Sequence, residues 1–195
     1  MPRISIIGCS GSGKTTLARC IQDKFQCPRL ELDGLHHQKN WTPLPADRFR
    51  EDVAAFMDRH PNWVIDGNYT AVRDLVLARA SMVVWLDPSL ALATWRLGHR
   101  SLRRLIGRTE LWNGNRERFR DVCSLDPERS VLAWMWKTHG SFPARFEKIG
   151  NDPAFQHLER HRISSAVERR EFLQTISRAF EGTKPEADER RFDLS

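Results

Sequence analysis

Apolar residues in this chain form short continuous runs that alternate with stretches of three-and-four spacing, the signature of strands alternating with helices. The run Ile4 to Ile7 predicts a first strand, and Leu17, Ile21 and Phe25 recur on one face of the helix after it. Arg29 to Leu32 is a short strand candidate ending at Asp33. Asp47 to Arg59 reads as a helix with Phe49, Val53 and Phe56 on one side. Trp63 to Ile65 and Met82 to Leu86 are buried-type strands that stop at Asp66-Gly67 and Asp87-Pro88, with a short helix, Ala71 to Arg79, between them. Asp87-Pro88 predicts an N-cap and first helical position for a helix through Leu92 and Trp95 towards Leu105. Asp126-Pro127-Glu128 predicts another such start, for a helix carrying Val131, Leu132 and Met135. Phe155 to Leu158 is the last strand candidate. Ser165-x-x-Glu168 is a capping box for a helix with Phe172, Ile176 and Phe180 on its apolar stripe. Beyond Gly182 the sequence is polar and charged and predicts a flexible tail over 181–195.

Five strands alternating with helices imply an α/β fold with a parallel sheet, whose ligands sit at the carboxyl ends of the strands. Gly8, Asp33, Asp66 and Asp87 all fall at such predicted ends. The length, 195 residues, suits one domain over 1–180. No run is apolar enough to cross a bilayer, and the start of the chain does not read as a signal peptide. Cys9, Cys20, Cys27 and Cys123 form no C-x-x-C pair and read as reduced cysteines of a cytoplasmic protein. Cys9 lies inside a glycine-rich loop whose N–H dipoles would lower its pKa.

That loop carries the chemistry. Gly8-Cys9-Ser10-Gly11-Ser12-Gly13-Lys14-Thr15 matches G-x-x-x-x-G-K-[ST] without deviation, between a predicted strand and a predicted helix. Loop N–H groups and the helix dipole cradle phosphates in this arrangement. Gly8, Ser10, Gly11, Ser12, Gly13, Lys14, Thr15 and Thr16 are therefore the predicted ATP-binding residues. Lys14 reaches the β- and γ-phosphates and the Thr15 hydroxyl ligates Mg²⁺.

Charge adds a second feature. Between Arg96 and Arg120 lie Arg96, Arg100, Arg103, Arg104, Arg108, Arg116, Arg118 and Arg120 against only Glu110 and Glu117, so this stretch holds the whole net charge of +6. Arginine suits bidentate recognition of phosphate oxygens. Arg96, Arg100 and Arg104 share one helical face, and Gly107, Asn113 and Gly114 break the helix into a loop. Such a segment acts as a lid, with Arg100, Arg104 and Arg108 as candidates to neutralise the transferred phosphoryl group. Cys123 alone builds no zinc site in it.

The P-loop, Leu32-Asp33-Gly34-Leu35-His36-His37, Trp41, Val64-Ile65-Asp66-Gly67-Asn68-Tyr69 and Leu111-Trp112-Asn113-Gly114-Asn115-Arg116-Glu117 together resemble the adenylate-kinase-related proteins labelled DNA topology modulation proteins. The resemblance spans roughly residues 3–180. It implies a P-loop NTPase fold of the nucleoside-monophosphate-kinase type, a three-layer sandwich with a five-stranded parallel sheet of order 2-3-1-4-5, an acceptor-region insert at about 34–61 and a lid at about 100–125. That order puts Asp66 next to Thr15, where a carboxylate holds Mg²⁺. Asp33-Gly34-Leu35-His36, with Asn40 and Pro45-x-Asp47-Arg48, is also similar to the acceptor region of gluconate kinases.

Asp33, on the acceptor side of the phosphates, is the candidate that orients or deprotonates an attacking hydroxyl. A monophosphate acceptor needs no such base, and the insert is short for one. The resemblance favours a nucleotide acceptor and Asp33 a hydroxyl compound, so the expected partner is a small-molecule phosphate acceptor of either kind. Adjacent His36 and His37 lack a third ligand at helical spacing and read as solvated or acceptor-contacting. Asn68 and Tyr69 either orient the acceptor or finish the turn. Trp63 and Trp85 read as core, while Trp41 and Trp112 either stack on a ring or pack on protein. A nucleotide-dependent DNA-binding regulator is the competing class. No helix-turn-helix or aromatic RNA-binding motif accompanies the basic stretch.

Overall fold

The computed structural model describes residues 2–181 apart from 118, 123, 125, 128 and 129. Arg118, Cys123, Glu128 and nearly all of the expected tail thus lie outside the described residues. Five parallel strands, β1 (Arg3–Gly8), β2 (Arg29–Glu31), β3 (Trp63–Asp66), β4 (Met82–Leu86) and β5 (Glu159–Ile163), form one sheet of order 2-3-1-4-5. Nine helices accompany them among the described residues: α1 (Lys14–Phe25), α2 (Leu32–His36), α3 (Ala46–Arg59), α4 (Thr70–Arg79), α5 (Leu90–Ile106), α6 (Phe119–Val122), α7 (Val131–His139), α8 (Phe142–Asn151) and α9 (Ala166–Glu181).

The sheet is covered on both faces, as a parallel sheet requires. On one side Ile4, Ile6, Val64, Val84 and Leu86 pack against Leu17 and Ile21 of α1 and Phe172 and Ile176 of α9. On the other, Trp63, Ile65 and Val83 meet Phe49, Val53 and Met57 of α3, Val72 and Val76 of α4 and Ile149 of α8. Each large apolar side chain buried this way contributes about 1.5–3 kcal/mol. β1 lies between β3 and β4, with Ile6 opposite Asp66 and Gly8 opposite Leu86. The P-loop thereby emerges at the middle of the sheet, flanked by the carboxyl ends of β3 and β4.

Four local expectations are corrected. β2 ends at Glu31, and Asp33 lies in the short helix α2 that follows. The cap of α5 is Ser89, whose hydroxyl accepts from the Leu92 N–H at 3.3 Å, because the Asp87 carboxylate is taken by Arg162 at 2.6 Å. Likewise α7 starts at Ser130, which accepts from the Ala133 N–H, and Asp126-Pro127 precedes it as a turn. The last strand is Glu159–Ile163, not 155–158, where Pro153–Phe155 forms a 3-10 turn. β5 is an edge strand whose residues are mostly exposed, so it lacks the apolar run that marks the central strands. The capping box forms on one side: Ser165 accepts from the Glu168 N–H at 3.1 Å, while the Glu168 carboxylate reaches one residue further back and accepts from the Ser164 N–H at 2.7 Å.

Candidate active site

The P-loop is held from three sides. Asn68, just past β3, accepts from the Gly8 N–H through its side-chain oxygen at 3.1 Å and donates its amide to the Gly8 carbonyl. α5 lies against the loop so closely that a Cβ on Gly11, where φ is +79°, would stand 2.4 Å from the Ala93 carbonyl oxygen. Lys14 donates from Nζ to the Gly8 and Cys9 carbonyls at 2.8 and 2.9 Å. Desolvation lowers the Lys14 pKa, against the attraction of Asp33, Cys9 and Asp66. Ser12 Oγ is buried without a hydrogen-bond partner, an orphaned donor of the kind a phosphate oxygen would satisfy. Ser10 and Gly13 stay half-buried, and Thr16 is exposed on the first turn of α1. Burial raises the Cys9 pKa despite the opposing effect of Lys14, which overturns the expected acidic thiol.

Thr15 and Asp66 meet as the strand order implies. Thr15 Oγ1 donates to Asp66 Oδ2 at 2.9 Å. Asp66 is 2% exposed, and burial pushes its carboxyl up to about 6, although Thr15 and Arg29 pull it back. The sequence reading missed two neighbours. Glu31 lies opposite Asp66 in the β2–β3 register, with Oε1 3.4 Å from Thr15 Oγ1. Arg29 pairs with both acids, at 3.1 Å to Glu31 and 3.2 Å to Asp66. Alternation along β2 puts residues 29 and 31 on one face, a signal present in the sequence. A hydroxyl with two carboxylates is a hard oxygen donor set that suits Mg²⁺. Thr15 and Asp66, with Glu31 beside them, are the residues that would hold it.

On the acceptor side, Tyr69 donates its hydroxyl to Asp33 Oδ1 at 2.8 Å and lies 3.3 Å from His37 Nε2. Burial, then the Asp33 charge, raises the Tyr69 pKa, so the phenol stays protonated as a donor. His36 packs on Phe49 and Tyr69, and His37 lies between Trp41 and Trp112. Burial lowers the pKa of both imidazoles, and the charge of His37 adds to the effect on His36.

Asp33, His37, Trp41 and Trp112 line a cleft of about 580 Å³ together with Arg100, Arg104, Arg116 and Glu117. The row Arg96, Arg100, Arg104 runs from the P-loop into this cleft. The Arg96 guanidinium lies nearest the space beside Gly13, and Arg104 pairs with Glu117 at 2.7 Å. Arg100 stays exposed to solvent, and desolvation, then Arg104, lowers its pKa while Glu117, Asp33 and Glu31 oppose the shift. Arg108 lies elsewhere, exposed at φ +45° just past α5 and absent from the cleft wall.

The expected lid loop is docked on the acceptor segment. Asn113 donates to the Gly34 and His37 carbonyls at 3.3 and 2.6 Å. Asn115, 4% exposed, donates to the Gln38 carbonyl and accepts from the Trp41 N–H, both at 2.9 Å. Trp112 covers Gly34 so closely that a Cβ there would meet its Cδ1 at 2.7 Å. Trp112 thus packs on protein with one face while lining the cleft. No helix among the described residues is long and apolar enough to cross a membrane.

No family model and no curated protein matches the chain. Solved structures do. A gluconokinase from Sinorhizobium meliloti 1021 is 20% identical with a TM-score of 0.52, over 93% of this chain and 94% of that one. A shikimate kinase from Acinetobacter baumannii, in complex with shikimate, is 17% identical with a TM-score of 0.50, over 94% and 95%. The resemblance to the DNA topology modulation group therefore stands on the quoted motifs alone. The five-stranded fold is that of the P-loop kinases.

Proposed function

We propose that this protein is an ATP- and Mg²⁺-dependent phosphotransferase that moves the γ-phosphoryl group of ATP to a hydroxyl of a small molecule. One observation carries the choice of acceptor. Asp33 stands at the cleft wall, held by the Tyr69 hydroxyl and, among the described residues, in no ion pair with an arginine. A carboxylate there repels a phosphate acceptor, whereas an attacking hydroxyl needs a base or an orienting acceptor of its proton. The fold neighbours agree in kind, since gluconokinase and shikimate kinase are named for acceptors that are not nucleotides.

The roles follow from position. The P-loop N–H groups and Lys14 bind the phosphates, and Lys14 leaves its carbonyl partners to do so. Arg96 and Arg100 neutralise charge gathering on the transferred group, joined by Arg104 when Glu117 releases it. Thr15 and Asp66 are the residues that would hold Mg²⁺, whose charge would neutralise phosphate oxygens. Asp33 accepts the hydroxyl proton through the oxygen that Tyr69 leaves free, and the docked lid keeps water from the reacting atoms.

The test is ADP release by the purified protein with ATP and Mg²⁺, against a panel of sugar acids, polyols, nucleosides and nucleoside monophosphates. Acceleration by a hydroxyl compound, lost in Lys14→Ala and in Asp33→Asn by roughly two orders of magnitude or more, is the expected result. Asp33→Asn should spare ATP affinity. Acceleration by a monophosphate with full activity in Asp33→Asn would overturn the acceptor assignment. Slow acceptor-independent hydrolysis, with tight DNA binding that weakens steeply with salt, would overturn the kinase reading itself.

A further inference from the structure

Helix α5 presents three rows of side chains. Ala93, Leu97 and Ser101 are buried against the protein, and Arg96, Arg100 and Arg104 turn to the P-loop and cleft. The third row, opposite the buried one, is Leu92, Trp95, His99, Leu102 and Ile106, recurring at intervals of three and four. It is open to solvent: Trp95 is 66% exposed, Leu102 54% and Ile106 77%. His99 stacks on Trp95, centroids 5.6 Å apart, so the row is continuous across its one polar member. Single exposed apolar residues are ordinary, but a seam of them along about 21 Å of helix, at 1.5 Å per residue, is not.

The shape of the row and its charge identify the occupant. A helix lying in a lipid interface presents a broad apolar face, whereas two columns at heptad spacing form the narrow seam that a second helix fills. Arg103 borders the seam with no acidic partner among the described residues, and α5 contains no acidic residue, so a partner lying along it meets only positive charge. A second copy of α5 would bring together two helices whose charged residues are all arginines. Like charges so placed oppose pairing. We infer that α5 is the docking seam for an acidic amphipathic helix of a partner protein, apolar at its a and d positions and carrying glutamate or aspartate at the flanking ones. This inference is independent of the proposed phosphotransfer. Because the neighbouring row holds Arg96, Arg100 and Arg104, an occupant would sit one helix face away from the phosphate site.

The probe is a fluorescein-labelled three-heptad peptide with leucine at a and d and glutamate at e and g, titrated with the full-length protein. Saturable binding with a Kd on the order of 10 µM is expected. It should weaken about tenfold in Trp95→Ala and in Leu102→Asp, both solvent-exposed changes whose melting temperatures should match the parent. Raising the salt, or replacing the glutamates by lysine, should weaken it too. Equal binding by a peptide with scrambled a and d positions, or no effect of either variant, would overturn the inference. A dimer in sedimentation that Leu102→Asp dissolves, with no peptide binding, would assign the seam to a second copy and overturn it. Loss in these variants of binding to vesicles of phosphatidylserine and phosphatidylcholine, again without peptide binding, would assign it to a lipid surface and overturn it.

Discussion

Tyr69 and Asp33, thirty-six positions apart in sequence, are joined by a 2.8 Å hydrogen bond from the phenol to the carboxylate. Asp33 sits on the first turn after β2, and Tyr69 sits where the chain leaves β3, so the two adjacent strands carry both ends of the contact. The bond occupies one carboxylate oxygen and fixes the direction of the other. That is how a short helix at an edge of the sheet holds this carboxylate in register with the P-loop.

Removing the phenol oxygen tests this. Tyr69→Phe keeps the ring contacts with His36 and Phe49 and frees Asp33 to rotate. Turnover should fall about 10- to 100-fold with the KM for ATP unchanged, as expected for lost orientation in the transition state. Steady-state kinetics with the acceptor identified by the panel measure both. Unchanged turnover would detach Tyr69 from the chemistry.

The contact of α5 with the P-loop makes a second prediction. Gly11 holds φ at +79°, and a methyl group there would meet backbone, the Ala93 carbonyl, at 2.4 Å. Neither the strain nor the clash can be relieved by turning a side chain. Gly11→Ala should lower unfolding stability by roughly 2 kcal/mol or more and should abolish tight ATP binding. Denaturant melts and calorimetric ATP titration separate the two effects. Gly98, on the same helix with open space around it, is the matched control, and Gly98→Ala should do neither.

What the sequence revealed depended on whether a feature was local. The P-loop is eight consecutive residues, and β1, β3 and β4 are apolar because both of their faces are covered; each was legible from composition alone. β5 was displaced by several residues because an edge strand rich in charge carries no such mark. Asp87 and Asp126 looked like helix caps because a short-range pattern cannot show that a distant Arg162 claims one carboxylate, or that Ser89 and Ser130 lie closer to the first turns. The Thr15–Asp66 contact followed once the strand order was known. Glu31, Arg29 and the Asn68 clamp on Gly8 needed the register between strands, which periodicity does not supply. The docking of Asn113 and Asn115 joins segments more than seventy residues apart, and no local signal pointed to it.

That docking also makes a prediction. Asn115 is buried and bonds to the Gln38 carbonyl, the Trp41 N–H and the Trp112 carbonyl. Asn115→Ala leaves those groups without their partner, which costs about 1–3 kcal/mol locally. Amide exchange should quicken across 36–44 and 111–117 while the sheet keeps its protection. The KM of the acceptor should rise more than that of ATP, because the loop holds the acceptor wall and not the P-loop. Equal changes in both constants would place the loop over the nucleotide instead.

The two histidines give a pH dependence whose sign can be worked out. Burial holds both below the ordinary imidazole value of 6.5, with the charge of His37 adding to the effect on His36. In the unfolded chain they titrate near 6.5, so between that value and their lower folded values the unfolded state binds more protons. Their contribution is therefore complete above the unfolded pKa and is lost as the pH falls through the folded ones. Between about pH 7.5 and pH 5.5 the histidines pull the melting temperature down, against the raised Asp66 carboxyl, which gains its proton first in the folded state; the double variant His36→Gln, His37→Gln should therefore lose less melting temperature than the parent over that interval. Carboxylate titrations common to both proteins cancel in that difference. An identical drop in the two proteins would mean that the imidazoles do not sense folding. A larger drop in the variant would mean that the folded state favours their protonated form, with Asp33 outweighing burial.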